Sequence, residues 1–434
     1  MALAGRSDGR QRLSPRRVLG WALAAVVVTV PSATVAFSPV ARGDVPQPTP
    51  AAPAPSVPSV PSVPSVPALP SAGPALPALP PLPLLSAQTT TQPANGATAV
   101  NPTAPISVTA TDGTLDTVAL TNSAGKQVQG RLAADKKSWT TTEPLGYAKT
   151  YTWSGTATGL DRQARPISGS FRTVEPAQLV NGAFNIAEGS TYGVAMPIAL
   201  TFTSKVTDRA AVQRALSVTT SVPTEGSWAW LNDTTVHWRP KNYFAPGTQV
   251  NVTGKLYGLN MGQGAYGSGD INTHFTVGRS YVLRGDTRTH RLQAFLDGAQ
   301  VGDFPASYGL DTDPGRVTHS GTHVVIQKFA TYYMSNPKYD YQNVEAKWAV
   351  RISNNGEFLH SAPWSVRQQG KTNVSHGCVN LSPADSRTVF DAVLPGDPVE
   401  IIGSSQQLSS SDGNYYDWAV PWDAWTAMSA LPSS

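Results

Sequence analysis

The alternation of apolar and polar positions divides the chain into blocks of different texture. From about residue 89 to 175 the runs are short, period-two and rich in Thr and Val, as at 106–110, 117–120, 149–153 and 167–173. Asp112-Gly113, Asn122 and Gly155 stand between them as breaks. Short alternating runs separated by turn residues predict a small β-sandwich of the immunoglobulin-like kind. Residues 176–278 repeat the texture, with strands expected at 198–203, 228–231, 235–239, 249–256 and 274–277. One helix is expected over 208–216, with Thr207 as its N-cap. Trp153, Trp228, Trp230 and Trp238 fall on these strands and read as core rather than as a ligand platform.

A third block spans 279–403. Two strand-like runs, 292–296 and 299–304, flank Asp297-Gly298, a strong tight-hairpin signal. Further strands are expected at 323–328, 346–353, 357–360 and 398–402. A helix should begin after Ser382, with Pro383 at its first position and Asp385 in its first turn, and run to about Val393. Residues 404–434 carry Trp418, Trp422 and Trp425. Such a tail would be adhesive if exposed, so it is expected to pack on a neighbouring domain. The fold class is therefore mainly β: two immunoglobulin-like sandwiches, then a β-rich domain with one helix.

The head of the chain has no such alternation. Residues 1–17 hold Arg6, Arg10, Arg12, Arg16 and Arg17 against Asp8, and 18–41 contain no charge. A basic n-region before an apolar stretch is the pattern of an export signal, and the length also permits a membrane anchor. Residues 42–88 follow as a stalk; 15 of the 37 prolines lie between 44 and 86, and Pro-Ser-Val recurs four times over 55–66. This composition buries no core and favours polyproline II, which at ~3.1 Å per residue would reach on the order of 130 Å.

Charge narrows the function classes. The formal net charge of +4 is matched by the first 17 residues alone, and the remainder is balanced. A nucleic-acid partner, which needs a basic face on a folded domain, is not expected. His319 and His323 are four apart, but Ser320-Gly321 between them reads as loop and no third ligand is evident, so neither a metal nor a cofactor is expected.

The candidate chemistry is concentrated around one sulfur. Cys378 is the single cysteine, in Ser375-His376-Gly377-Cys378-Val379-Asn380-Leu381, and His360 stands 18 residues before it in His360-Ser361-Ala362-Pro363-Trp364. A thiol is a nucleophile as thiolate, and an imidazole within reach can take its proton. Gly377 allows close backbone approach, so amide groups there can serve an oxyanion. Spacing alone leaves a buried inert cysteine open.

These two motifs resemble the catalytic domain of L,D-transpeptidases, the YkuD-type fold, specifically over 358–397 and more loosely over the rest of 280–403. The order of anchor, proline-rich stalk, two immunoglobulin-like domains, catalytic domain and Trp-bearing tail is similar to actinobacterial multi-domain members. The resemblance implies a cysteine acyltransferase of the cell envelope that acts on peptidoglycan stem peptides. Cys378 would take the acyl group of the third stem residue, D-Ala would leave, and the side-chain amine of a second stem's third residue would accept it, giving a 3→3 cross-link. It further implies His360 as base, oriented by the Ser361 carbonyl, with His376, Gly377, Ser375 and Asn380 shaping the pocket. Many relatives carry Arg where this chain has Asn380; the Asn form is similar to the actinobacterial variant. A lid would supply Tyr341 and Met334, and Trp364 reads as pocket wall or core. Carbapenem β-lactams are the inhibitors implied. A carboxypeptidase of the same fold, or a silent wall-binding protein, is the alternative. Papain-like hydrolases place Cys before His, and the sortase strand motif is absent.

Overall fold

The computed structural model describes residues 85–432. The basic head, the apolar stretch and all but the last residues of the proline-rich stalk lie outside them. Among the described residues, no helix is long and apolar enough to cross a membrane.

The first sandwich closes a four-stranded sheet (Gln88–Gln92, Ser107–Thr111, Ser138–Thr141, Gly130–Leu132) over a three-stranded one (Gly113–Asn122, Thr150–Gly159, Ala164–Arg172). Inward positions of both supply its core, with Trp139 packed edge-on to Trp153. Gly155 does not break a strand: it lies inside Thr150–Gly159 at φ +144°, opposite Val118, where a Cβ would meet the Thr117 carbonyl oxygen at 2.1 Å. The second sandwich packs two four-stranded sheets around Trp228, Trp230 and Trp238, all buried. Its helix is shorter than expected, Arg209–Arg214, because Asp208 rather than Thr207 accepts from Ala211 N and Leu216 already begins the next strand.

The third block holds the site. Its strands are β1 (Tyr281–Asp286), β2 (Arg291–Leu296), β3 (Ala299–Pro305), β4 (Gly321–Val324), β5 (Gln327–Asn336), β6 (Tyr341–Arg351), β7 (Phe358–Ser361), β8 (Val379–Leu381) and β9 (Pro398–Ile402). One sheet runs β3-β2-β1-β9-β4 and the other β5-β6-β7-β8. Leu283, Leu292, Val350, Leu359, Val379 and Val399 join the core between them. Asp297 and Gly298 both take positive φ at the β2–β3 turn, the geometry of a primed hairpin turn. The single strand expected at 323–328 is two: β4 ends at Val324, and the chain crosses from one sheet to the other before Gln327. Helix α1 (Pro383–Ala392) starts at Ser382, whose hydroxyl accepts from Asp385 N at 3.1 Å.

The tail after β9 touches two domains in turn. Residues 406–412 pair with Ser320 and with Asn354 and Asn355. Beyond them, Trp418 and Trp425 donate to the carbonyls of Ala195 and Ser227, and Arg239 lies over the rings of Trp418, Trp422 and Trp425. At the head of the catalytic domain Arg279 clamps Asp397 through two 2.9 Å bonds. Burial pushes the Asp397 carboxyl up to about 6 even with that partner. Arg279→Ala removes its ion-pair partner and leaves the Leu394 N–H at 2.7 Å as its hydrogen bond, and the expected cost is about 3–5 kcal/mol. The loss should shrink at pH 5, where the proton is taken up, and grow above pH 7; chemical denaturation at both pH values measures it.

Candidate active site

Cys378 and His360 come together because β7 and β8 run parallel. The register sets Leu359 against Val379 and His360 against Asn380. Position 378, one step before β8, therefore falls beside Phe358, and His360 two residues further points to the same face. Phe358, Ala349 and Cys378 form one small apolar cluster, with Phe329, Tyr332 and Met334 packed against it.

The cleft at this point, about 390 Å³, is lined by Met334, Tyr341, Val344, His360, Trp364, Val374, Ser375, His376, Cys378 and Asn380. Tyr341 and Met334 come from the two arms of the β5–β6 hairpin, which overhangs the site. Trp364 is 57% exposed and stands 6.0 Å from the His360 ring, so it is wall rather than core. Ser361 and Gly377 do not line this cleft. Ser361 lies behind it, its carbonyl oxygen 2.9 Å from His360 Nδ1, which assigns the proton to Nδ1 and leaves Nε2 as the free acceptor.

The loop that carries the sulfur is fixed by hydrogen bonds on both sides. Ser375 Oγ donates to the Cys378 carbonyl at 2.5 Å, and Thr318 Oγ1 donates to the Gly377 carbonyl at 2.8 Å. Asn380 Nδ2 reaches Ser365 Oγ at 3.1 Å. Gly377 has φ +108°, so a side chain there would be strained. Among the described residues, the N–H groups of His376, Gly377 and Cys378 donate to no loop-backbone or side-chain acceptor.

Electrostatics set the resting protonation. Burial pushes the Cys378 thiol up to about 12; an N–H from Phe358 opposes this, and the charge of Glu357 adds to it. Burial also lowers His360, against the Ser361 hydrogen bond. The pair therefore rests as neutral thiol and neutral imidazole. His376 is likewise lowered, first by burial and then by the Arg316 guanidinium. Its ring packs 4.8 Å from Tyr339 and 5.4 Å from Tyr341, beneath the hairpin.

Arg316 and Thr318 were not legible as site residues. Arg316 holds the carbonyls of Ser375 and Val374 from 58 or 59 residues upstream, a contact that no local motif announces. Val344 and Val374 were missed for the same reason: apolar wall positions resemble any other strand residue.

Comparison with known proteins agrees with this architecture. A model of the L,D-transpeptidase catalytic domain matches residues 280–401, and a bacterial Ig domain model matches 97–260, across both sandwiches. By its fold and site, the chain belongs to the L,D-transpeptidase family. It is 50% identical to L,D-transpeptidase 5 of Mycobacterium tuberculosis over 347 residues, 79% of this chain and 77% of that relative. It is 38% identical to L,D-transpeptidase 2 of the same species over 356 residues, 80% of this chain and 86% of that one. Among solved structures, an L,D-transpeptidase in complex with imipenem is 34% identical, covering 52% of this chain and all of its own, with a TM-score of 0.45.

Proposed function

We propose that the protein forms 3→3 cross-links between peptidoglycan stem peptides through a Cys378 thioester. The observation that carries this is the placement of a buried thiol and a neutral imidazole on one sheet face, under a hairpin that offers Tyr341 and Met334 to the same cleft. His360 Nε2 takes the thiol proton as sulfur attacks the carbonyl of the third donor residue. The amides of Gly377 and Cys378, beside the sulfur, would receive the oxyanion. Collapse expels D-Ala, whose amine takes the proton from His360. The side-chain amine of a second stem's third residue then attacks the thioester, His360 removes its proton, and the thiol is restored. Tyr341 stays a phenol, since burial and the adjacent Cys378 sulfur both raise it, so it acts as a donor at the cleft mouth.

A strained β-lactam carbonyl presented to the same sulfur would give a ring-opened thioester, so carbapenems should act as acylating inhibitors. The product places the enzyme at the cell wall outside the cytoplasm, where the basic and apolar head would export or anchor it and the stalk would set its reach.

The test is incubation with a purified tetrapeptide stem. The expected products are free D-Ala and a 3→3 dimer, with an acyl mass shift on the enzyme. Tripeptide without dimer would show water as the acceptor and a carboxypeptidase; no acyl-enzyme at all would leave a wall-binding protein.

The pH dependence follows from the directions above. A lowered histidine keeps its neutral, basic form to lower pH, and activity is lost only as pH falls through that lowered value. Acylation by a carbapenem should therefore hold steady across pH 7–9 and decline below the ordinary histidine value of about 6.5. An acid limb centred above pH 7 would contradict the neutral pair.

A further inference from the structure

A second cavity lies across the Cys378 loop from the cleft, lined among others by Gly377, Glu357, His319 and Asp412. Three chain segments meet there. His319 comes from the loop before β4, Glu357 from the residue before β7, and Asp412 from the tail. Their donor atoms all lie within 4.8 Å of one another. Glu357 and Asp412 are each 3% exposed.

Asp412 is held by the protein, its Oδ1 accepting from Asn355 Nδ2 and its Oδ2 from Ser409 N at 2.8 Å, but His319 and Glu357 each keep an unpartnered polar atom. The main-chain N–H of His319 donates to Glu357 Oε1 at 2.8 Å, which leaves Oε2 without a partner. His319 Nδ1 sits 2.7 Å from Asp412 Oδ1, yet the approach lies outside a hydrogen-bond direction and Nδ1 is unpartnered too. His323 Nε2 donates to the His319 carbonyl at 2.9 Å, so its own Nδ1, 3.8 Å from Glu357 Oε2, is also orphaned. A buried polar atom without a partner forfeits its hydration, and two of these, His319 Nδ1 and Glu357 Oε2, belong to the three-residue group.

We propose that His319, Glu357 and Asp412 form a site for a divalent transition metal of the zinc type, which fastens the C-terminal tail to the catalytic domain behind the Cys378 loop. One imidazole and two carboxylates are the donor types that zinc takes. At bond lengths of about 2.0–2.2 Å the donors would settle roughly 3.3–4.2 Å apart, a small rotation of each side chain from where it stands. The sequence concealed the site because its third donor lies 93 residues from the first and outside the catalytic domain.

The test uses the full chain carrying Cys378→Ser, so that the nucleophile cannot bind the probe. Protein stripped with EDTA is titrated with Zn²⁺ by calorimetry, and its thermal unfolding is followed with and without the ion. One saturable site and a higher Tm are expected. Glu357→Gln and His319→Gln should each weaken binding by at least about 10–100-fold and abolish the Tm rise. If either variant fails to fold, the other carries the comparison. Absence of saturable binding, or binding that both variants retain, would overturn the site and leave the cluster a buried polar network.

Discussion

Replacing Cys378 by serine or alanine is expected to reduce cross-linking and carbapenem acylation to background while the protein still folds. The side chain is small, 9% exposed, and contributes only an edge to the cluster of Ala349 and Phe358. No other thiol exists in the chain to replace it. Loss of a covalent nucleophile typically removes on the order of 10⁵–10⁶ of the rate. Serine keeps the shape but not the chemistry, because a hydroxyl is far harder to ionise than a thiol and the buried site does nothing to help. Intact-protein mass spectrometry after carbapenem treatment reads the acyl adduct directly, and circular dichroism checks the fold. Activity within tenfold of the parent in either variant would defeat the mechanism.

His360→Ala is expected to slow acylation by on the order of 10²–10⁴, the usual contribution of a positioned base, and His376→Ala by less. The two histidines flank the same sulfur, but their settings differ. His360 is fully enclosed and oriented by the Ser361 carbonyl, which leaves Nε2 facing the cleft. His376 is the more exposed and packs against Tyr339 and Tyr341 under the hairpin, beside a cation that disfavours its protonated form. Its removal should loosen the lid more than it removes a base, and should appear more in apparent substrate affinity than in the acylation step. Stopped-flow acylation rates for both variants decide the assignment; the reverse order would transfer the role of base to His376.

Much of the catalytic domain could be read from residues that dictate their own local geometry. The Asp297-Gly298 turn, the Ser382 cap with Pro383 after it, and the period-two runs at β2, β3 and β9 need no partner to be recognised. Gly155 shows the limit. Glycine reads as a break, yet here it is what lets two paired strands approach closely, which depends on Thr117 across the sheet. The split of 323–328 into β4 and β5 failed for a related cause. Val324-Val325-Ile326 at its centre reads as one uninterrupted apolar stretch, and only the stacking of two sheets requires the chain to cross between them at Val325 and Ile326.

The candidate chemistry could be read from residue types and short spacings: one cysteine, a histidine 18 residues before it, and a glycine beside the sulfur. The setting of those groups comes from the folded chain. Burial, which no residue carries in its own identity, raises the thiol and lowers the imidazole into a neutral pair. Parallel pairing of β7 and β8 brings the two onto one face. Arg316 holding the Cys378 loop, and Asp412 arriving beside His319 and Glu357, are contacts between segments 55 to 93 residues apart. Such contacts form only when the whole chain has folded, because their strength comes from exclusion of water and not from any local pattern.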